Sequence, residues 1–469
     1  MAYRPFPLLA PMRNWFRDGV MRSILKNAGY LASTKAVGGI VGLLALVCAG
    51  RGMSAVSFGT VMLIHTYALG IAAFTKFQSW QMIVRYAAPA MAREDRTTAR
   101  QAIRFACSLD VTSGLFGMVL AMASVMLFGP RFGISPDIVP LAVAYCTLIP
   151  TMSSSTPAGI LRVMDRFDLI SLQQTATPAI RAVGALIGWL CGFGMPFFLL
   201  TWYIADLGGD LILWGMSLSE LRRRNMMDAF RPSLLAAPRT LPESWHFVWS
   251  TNLTTSLDSC KEPVSNIILG HMLGPAAVGL YRIATSILSS AVKPALLMEK
   301  GFYPEIMRLD PASTRPWLLG LRSGLLAAAT ALAMVLGIWV LARPVTVLFG
   351  EKYHVAATLL MIMAPSIIMS MGGFPIPSLL FMAGRPKALF WSHVVGTSVW
   401  FVVLIWLTHR FGLYGAAAAY IVAPALLFLC ALIPTLYSFF NRHMLSLPAA
   451  EIAEEEALAA EAVTTGSES

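Results

Sequence analysis

The stretch Trp249–Tyr281, WSTNLTTSLDSCKEPVSNIILGHMLGPAAVGLY, is long and apolar enough to cross a bilayer, yet Asp258, Lys261 and Glu262 sit in its middle. Each ionised group at the centre of a lone transmembrane helix costs about 2.5–3.5 kcal/mol. Three of them come to roughly 8–10 kcal/mol on the same scale, so the helix must turn them toward water, protein or ligand. The spacing permits that. Thr251, Thr254, Thr255, Asp258, Lys261, Glu262 and Ser265 recur at three and four residues, which is one helical face. Leu253, Leu257, Cys260, Val264, Ile267 and Ile268 form the other face. A helix of this kind at membrane depth reads as the wall of a pathway.

The rest of the chain supports a membrane setting. Of its 469 residues 57% are hydrophobic and only 13% charged, where a soluble domain carries about 25% charged residues. The net charge is +11, and the last 22 residues hold six Glu without a Lys or Arg, so the body is more basic still. Membrane topology and anionic lipid account for this excess better than nucleic acid does. The six cysteines, at 48, 107, 146, 191, 260 and 430, stand singly in apolar runs and read as small core residues. His65 and His271 have no metal-ligating neighbour at helical spacing and read as packing or interfacial residues. No cofactor motif appears.

Apolar spans of membrane length are expected near 31–50, 56–86, 107–128, 138–160, 170–190, 196–218, 248–270, 276–302, 318–341, 355–380, 389–408 and 414–438. The fold class is therefore an all-α polytopic membrane protein of twelve transmembrane helices. With the N-terminus inside, 21 Lys and Arg fall in cytoplasmic segments and five in outer loops, which places both termini in the cytoplasm. The chain then divides into a basic cytoplasmic lead (1–30), a six-helix bundle (31–218), a cytoplasmic linker (219–247), a second bundle (248–440) and an acidic tail (441–469). The tail reads as a disordered, solvating end.

The two halves repeat. RGMSAVSFG at Arg51–Gly59 aligns with LGPAAVGLY at Leu273–Tyr281, and LFGPRF from Leu127 aligns with LFGEKY from Leu348. The turn Val163–Arg166 aligns with Met382–Arg385. Six helices per half make the repeats parallel, and transporters built this way hold substrate between the halves. Lys35 on the first helix then corresponds to the position beside Asp258 on the seventh.

LGPAAVGLYRIATSI, MEKGFYPEIMRL, LFGEKY and RFGLYGAAAAY resemble polysaccharide and O-antigen flippases of the Wzx type, in the MOP exporter superfamily with the MurJ lipid II flippases and the MATE exporters. The resemblance covers about residues 26–440 and rests on small residues and loop turns. It implies two six-helix bundles around a central cavity, alternating access, and movement of an undecaprenyl-pyrophosphate-linked oligosaccharide across a bacterial inner membrane. A polysaccharide polymerase complex is the expected partner. MurJ-like proteins usually carry two further C-terminal helices, so the substrate expected here is an O-antigen or exopolysaccharide unit rather than lipid II.

Basic residues inside the spans are candidates for the pyrophosphate: Lys35, Lys261, Arg282, Lys293 and Arg181. Arg grips phosphate bidentately and Lys acts as a mobile point charge. The alternative is internal neutralisation, as between Lys261 and Asp258 or between Lys293 and Glu299. Asp258 and Glu262, like-charged at i and i+4, are candidates for coupling to H⁺ or Na⁺. Asp206 and Asp210 repeat that spacing on the sixth helix. An enzyme of sugar polymerisation would need acids or bases on an outer loop, and the outer loops are short. A small-cation exporter would need a cavity dominated by acids, and the spans hold more bases.

Overall fold

A computed structural model describes residues 37–152, 155–230, 241, 244–307 and 309–444; within these, the side chains at 229–230, 246–247, 249–258, 260, 293–301 and 304–305 are not described. The described residues are helical almost throughout. In chain order the helices are α1 (Val37–Gly52), α2 (Ala55–Thr75), α3 (Ser79–Ala92), α4 (Arg96–Phe128), α5 (Val139–Tyr145), α6 (Ile149–Met152), α7 (Thr156–Val163) and α8 (Phe167–Leu190). They continue as α9 (Met195–Arg223), α10 (Ser244–Leu273), α11 (Pro275–Ile306), α12 (Arg315–Val347), α13 (His354–Met363), α14 (Ser366–Gly372), α15 (Pro375–Met382) and α16 (Pro386–Phe440).

Five expected spans differ in detail. The span near 56–86 stops at Thr75, where the Lys76 N–H still reaches Ala72 O but the Lys76 backbone turns extended, and α3 restarts at Ser79. The spans near 138–160 and 355–380 are each a series of short helices. Pro140, Pro150 and Pro157 fall in the first, Pro365, Pro375 and Pro377 in the second, and each removes a backbone donor and crowds the preceding turn. The last two spans run on as α16, broken at Gly412, whose φ of 59° and ψ of −139° suit a residue without a Cβ.

The internal repeat persists in the elements. α4 and α12 both run 33 residues and start 219 positions apart, and α7 and α15 both run eight and start 219 apart. Even the left-handed turns recur, Asp165 (φ 57°) against Gly384 (φ 67°) and Gly192 (φ 68°) against Gly412.

The chain packs as two compact units, Met1–Ile267 and Ile268–Ser469, with the division falling inside α10. In unit 1, Ile83, Phe105, Ile160 and Leu221 belong to one buried cluster drawn from α3, α4, α7 and α9. Beside it the basic connections are pinned. Arg166 grips Asp168 with two N–H groups at 3.0 Å and also pairs with the buried Glu220, while Arg100 and Arg104 each donate at 3.0 Å to backbone carbonyls, of Asn225 and Asp228. In unit 2, Trp317 packs with Ile306, Leu379 and Met382.

Seven helical stretches among the described residues are long and apolar enough to cross a membrane by length and composition. Three others, α8, α10 and α11, have 24, 30 and 32 residues. At 1.5 Å per residue they measure about 36, 45 and 48 Å, enough to cross a hydrocarbon core of about 30 Å. They miss only on apolarity. Their polar residues include Arg181 on α8, Lys261 and Glu262 on α10, and Arg282 on α11.

Candidate functional site

Four of the candidate residues have described side chains, and all four lie on those three helices. Arg181 is half-buried on α8, Lys261 is half-buried and Glu262 exposed on α10, and Arg282 is half-buried on α11. Lys35 lies outside the described residues. Asp258 and Lys293 fall on α10 and α11, but their side chains, like those of Thr251, Thr254 and Thr255, lie outside the description. Within unit 1, α10 packs on α2 at Pro263: a Cβ on Gly70 of α2 would stand 2.4 Å from the Pro263 Cβ. Gly70 therefore lets α10 approach, and Lys261 and Glu262 immediately precede that contact in sequence.

Arg181 is engaged. Its guanidinium pairs with Asp206 of α9 and lies 5.3 Å from the centre of the Trp202 ring. The pair sits low in exposure, 20% for the Arg181 side chain and 12% for Asp206. Close packing of α8 on α9 brings them together, because a Cβ on Gly209 would stand 1.8 Å from Thr177 Oγ1. His65 of α2 joins from the other side. Its Nδ1 lies 3.0 Å from Tyr145 Oη and 3.5 Å from Asp206 Oδ2. The result is a buried chain of Arg181, Asp206, His65 and Tyr145 from four helices, extended by Tyr203, which meets Thr147 at 2.9 Å and the Tyr145 ring at 5.9 Å.

One turn along α9, Asp210 begins a second polar group. Lys76, at the break between α2 and α3, lies within electrostatic reach of Asp210 and Asp110 and approaches Met152 O at 3.5 Å. Asp110 of α4 is 1% exposed, and its Oδ2 accepts the backbone N–H groups of Ser155 and Thr156 at 2.8 and 2.7 Å. Its Oδ1 accepts from Ser79 Oγ. The carboxylate thus caps the first turn of α7 from another helix, satisfying donors that α7 cannot bond internally. Arg162, at the far end of α7, stacks on the Trp80 ring at 3.8 Å.

From sequence Asp206 and Asp210 repeat the i, i+4 spacing of Asp258 and Glu262, His65 reads as a packing or interfacial residue, and nothing singles out Asp110. The partners of each stand 25 to 141 positions away (Arg181 against Asp206, His65 against Asp206), and only the recurrence of Asp at i and i+4 on α9 signalled them. Cys48, Cys107, Cys146, Cys191 and Cys430 are free thiols. Cys191 is exposed rather than in a core, because it follows the last turn of α8. No group of three or more His, Cys, Asp or Glu side chains among the described residues could hold a metal ion.

Carboxylates balanced by bases, buried among apolar helices, can hold or pass a small charge without the penalty of an isolated ion. The fold that carries this network has solved counterparts. A MATE-family multidrug transporter of the MOP superfamily, solved in its inward-facing conformation, superposes with a TM-score of 0.71 at 16% identity, over 87% of this chain and 95% of that one. A MOP-superfamily transporter from Pyrococcus furiosus, described as having a binding pocket of reverse polarity, gives 0.55 at 16% identity over 90% and 96%. These likenesses establish the fold. The inner membrane protein YghQ of Escherichia coli (strain K12) is 42% identical over 343 residues, covering 73% of this chain and 97% of that protein. The family described as polysaccharide biosynthesis protein matches residues 24–298. Matched over more than half its length, and aligned with a relative over nearly the whole of that relative, the chain belongs to the polysaccharide biosynthesis protein family.

Proposed function

We infer that this transporter carries an undecaprenyl-pyrophosphate-linked oligosaccharide, an O-antigen or exopolysaccharide unit, across a bacterial inner membrane by alternating access. The observation that carries the reading is the placement of Arg181, Lys261 and Arg282 on the three membrane-length helices too polar for ordinary lipid-facing spans. Membership in a polysaccharide biosynthesis family supports the glycan, and the inner-membrane relative supports the location.

In this reading Lys35, Lys261, Arg282 and Lys293 contact the pyrophosphate, where a low effective dielectric strengthens each charge-assisted bond. Arg181 stands behind them, since it reaches an anion only by leaving Asp206. Asp258 and Glu262 are the proposed coupling carboxylates for H⁺ or Na⁺, with Asp206 a third. Both termini face the cytoplasm, and a polysaccharide polymerase complex receives the product. A small-cation exporter fits the same fold less well, because the buried acid Asp206 is already paired with Arg181 and Asp210 lies near Lys76.

The test measures which leaflet exposes lipid-linked oligosaccharide in cells lacking the protein. Wild type should restore surface polysaccharide, and Lys35→Ala with Lys261→Ala, expressed to the same level, should leave the lipid on the inner face. Resistance to an organic cation with no change in lipid-linked sugar would overturn the substrate and keep the fold.

A further inference from the structure

Unit 2 holds a cavity of about 580 Å³ that the transport reading does not use, within the range of small-molecule sites. It lies between α12, α14, α15 and the last turns of α16, and Trp317, Leu321, Leu325, Met369, Phe428 and Leu436 help form its walls. Its floor is made by close helix approach: a Cβ on Gly324 would stand 2.7 Å from Gly372 O. The cavity is open along one side, where Leu321 and Leu325 are 59% and 62% exposed on a membrane-length helix.

The walls are almost wholly apolar. The Trp317 indole N–H is spent on Pro311 O at 3.0 Å, and the Thr435 hydroxyl is spent on Ala431 O at 2.7 Å. From Thr314 to Ala328 the wall rises about 21 Å at 1.5 Å per residue. One leaflet of a hydrocarbon core of about 30 Å is roughly 15 Å deep. A chain from a single leaflet fits that depth.

One end is charged. Arg442 stacks on Phe439 at 4.7 Å, and Phe439 packs edge-to-face on Trp317 at 5.8 Å, so this cation stands at the mouth. Arg385 stacks on Tyr437 at 4.6 Å, and Arg315 is the exposed first residue of α12. Among the described residues none of the three forms an ion pair. Asp310, nearby in sequence, is engaged by the Ala312 N–H at 2.9 Å. Basic pockets between transmembrane helices recognise anionic lipid headgroups.

We propose that this groove is a binding site for an anionic phospholipid of the bilayer, its acyl chain along α12 and its phosphate at Arg315, Arg385 and Arg442. Proteoliposomes containing the full chain are doped with phosphatidylglycerol, or with phosphatidylcholine, each bearing the same photoactivatable acyl chain, and labelled peptides are mapped by mass spectrometry. Phosphatidylglycerol should label residues 314–328, 368–376 and 428–439 in excess, by roughly fivefold for each arginine that contributes. Arg315→Gln, Arg385→Gln and Arg442→Gln together should bring the two lipids to equal labelling there, with the thermal unfolding midpoint unchanged. Leu321→Trp with Leu325→Trp, which fills the wall, should reduce labelling by both lipids.

Equal labelling of wild type by the two lipids overturns the proposal. So does protection of the groove from both, whether a doubled mass shows a second copy covering it or deletion of residues 445–469 uncovers it. Preference for a labelled polyprenyl phosphate over phosphatidylglycerol also overturns it, assigning the groove to the carrier lipid instead.

Discussion

Removing Arg181 and Asp206 singly and together separates their structural role from a transport role. Both are mostly buried, and they pair directly across α8 and α9. Breaking a buried pair by deleting one member costs about 3–5 kcal/mol, whereas replacing both by apolar groups of like volume is often neutral. The two single variants should differ. Asp206→Leu leaves Arg181 with only the Trp202 ring at 5.3 Å, so it should show the full loss of about 3–5 kcal/mol. Arg181→Met leaves the carboxylate beside His65 at 3.5 Å, with Tyr145 a further 3.0 Å from that imidazole, so about 3 kcal/mol is expected, the low end of the same range. The double variant should recover to within about 1 kcal/mol of wild type, a coupling of several kcal/mol for contacting residues. Denaturant or thermal unfolding of purified protein in one detergent measures stability, and surface polysaccharide measures transport in the same set. Recovery of stability without transport assigns the pair a part in the transport cycle. Additive losses in the double variant would refute the reasoning, since they would mean that neither charge depends on the other.

Asp110→Ala strips the partners from two buried N–H groups at the start of α7, each worth about 1–3 kcal/mol when left unsatisfied. A loss of roughly 2–6 kcal/mol is therefore expected, with Asn recovering part of it, as read by thermal unfolding; an unchanged midpoint would show that the cap is dispensable. Hydrogen bonds from Thr98 and Thr97 hold the exposed Asp95 carboxyl below its ordinary value, so its stabilisation of the α4 start is full above the unfolded value and fades as pH falls through the folded one. Amide exchange at Thr97 and Thr98, corrected for intrinsic rates, should accelerate only below about pH 4 and should lose that dependence in Asp95→Asn.

Much of the fold was legible because a bilayer simplifies the code. A segment must satisfy its own backbone bonds in hydrocarbon, so apolar length alone marks a helix. The repeat was equally readable, and it returned as paired helices of 33 and eight residues and paired left-handed turns. Breaks were harder to place. Pro150 and Pro365 stand at theirs, but the interruption at Lys76 carries no Pro or Gly: Ser79 bonds to Asp110 beyond it, and Lys76 reaches Met152 O.

Unaided, the amino-acid order determined a polytopic helical protein with its halves repeated and with charge lodged at membrane depth. Those features follow from hydropathy, the cost of buried ions and self-similarity, all local along the chain. Tertiary structure alone decided which charges meet. Arg181 reads as a free cation for a phosphate until α9 brings Asp206 against it, and His65 reads as packing until Tyr145 and Asp206 arrive from 80 and 141 positions away. Electrostatic energy depends on distance through space, and one helix face records only the neighbours three and four residues along its own axis.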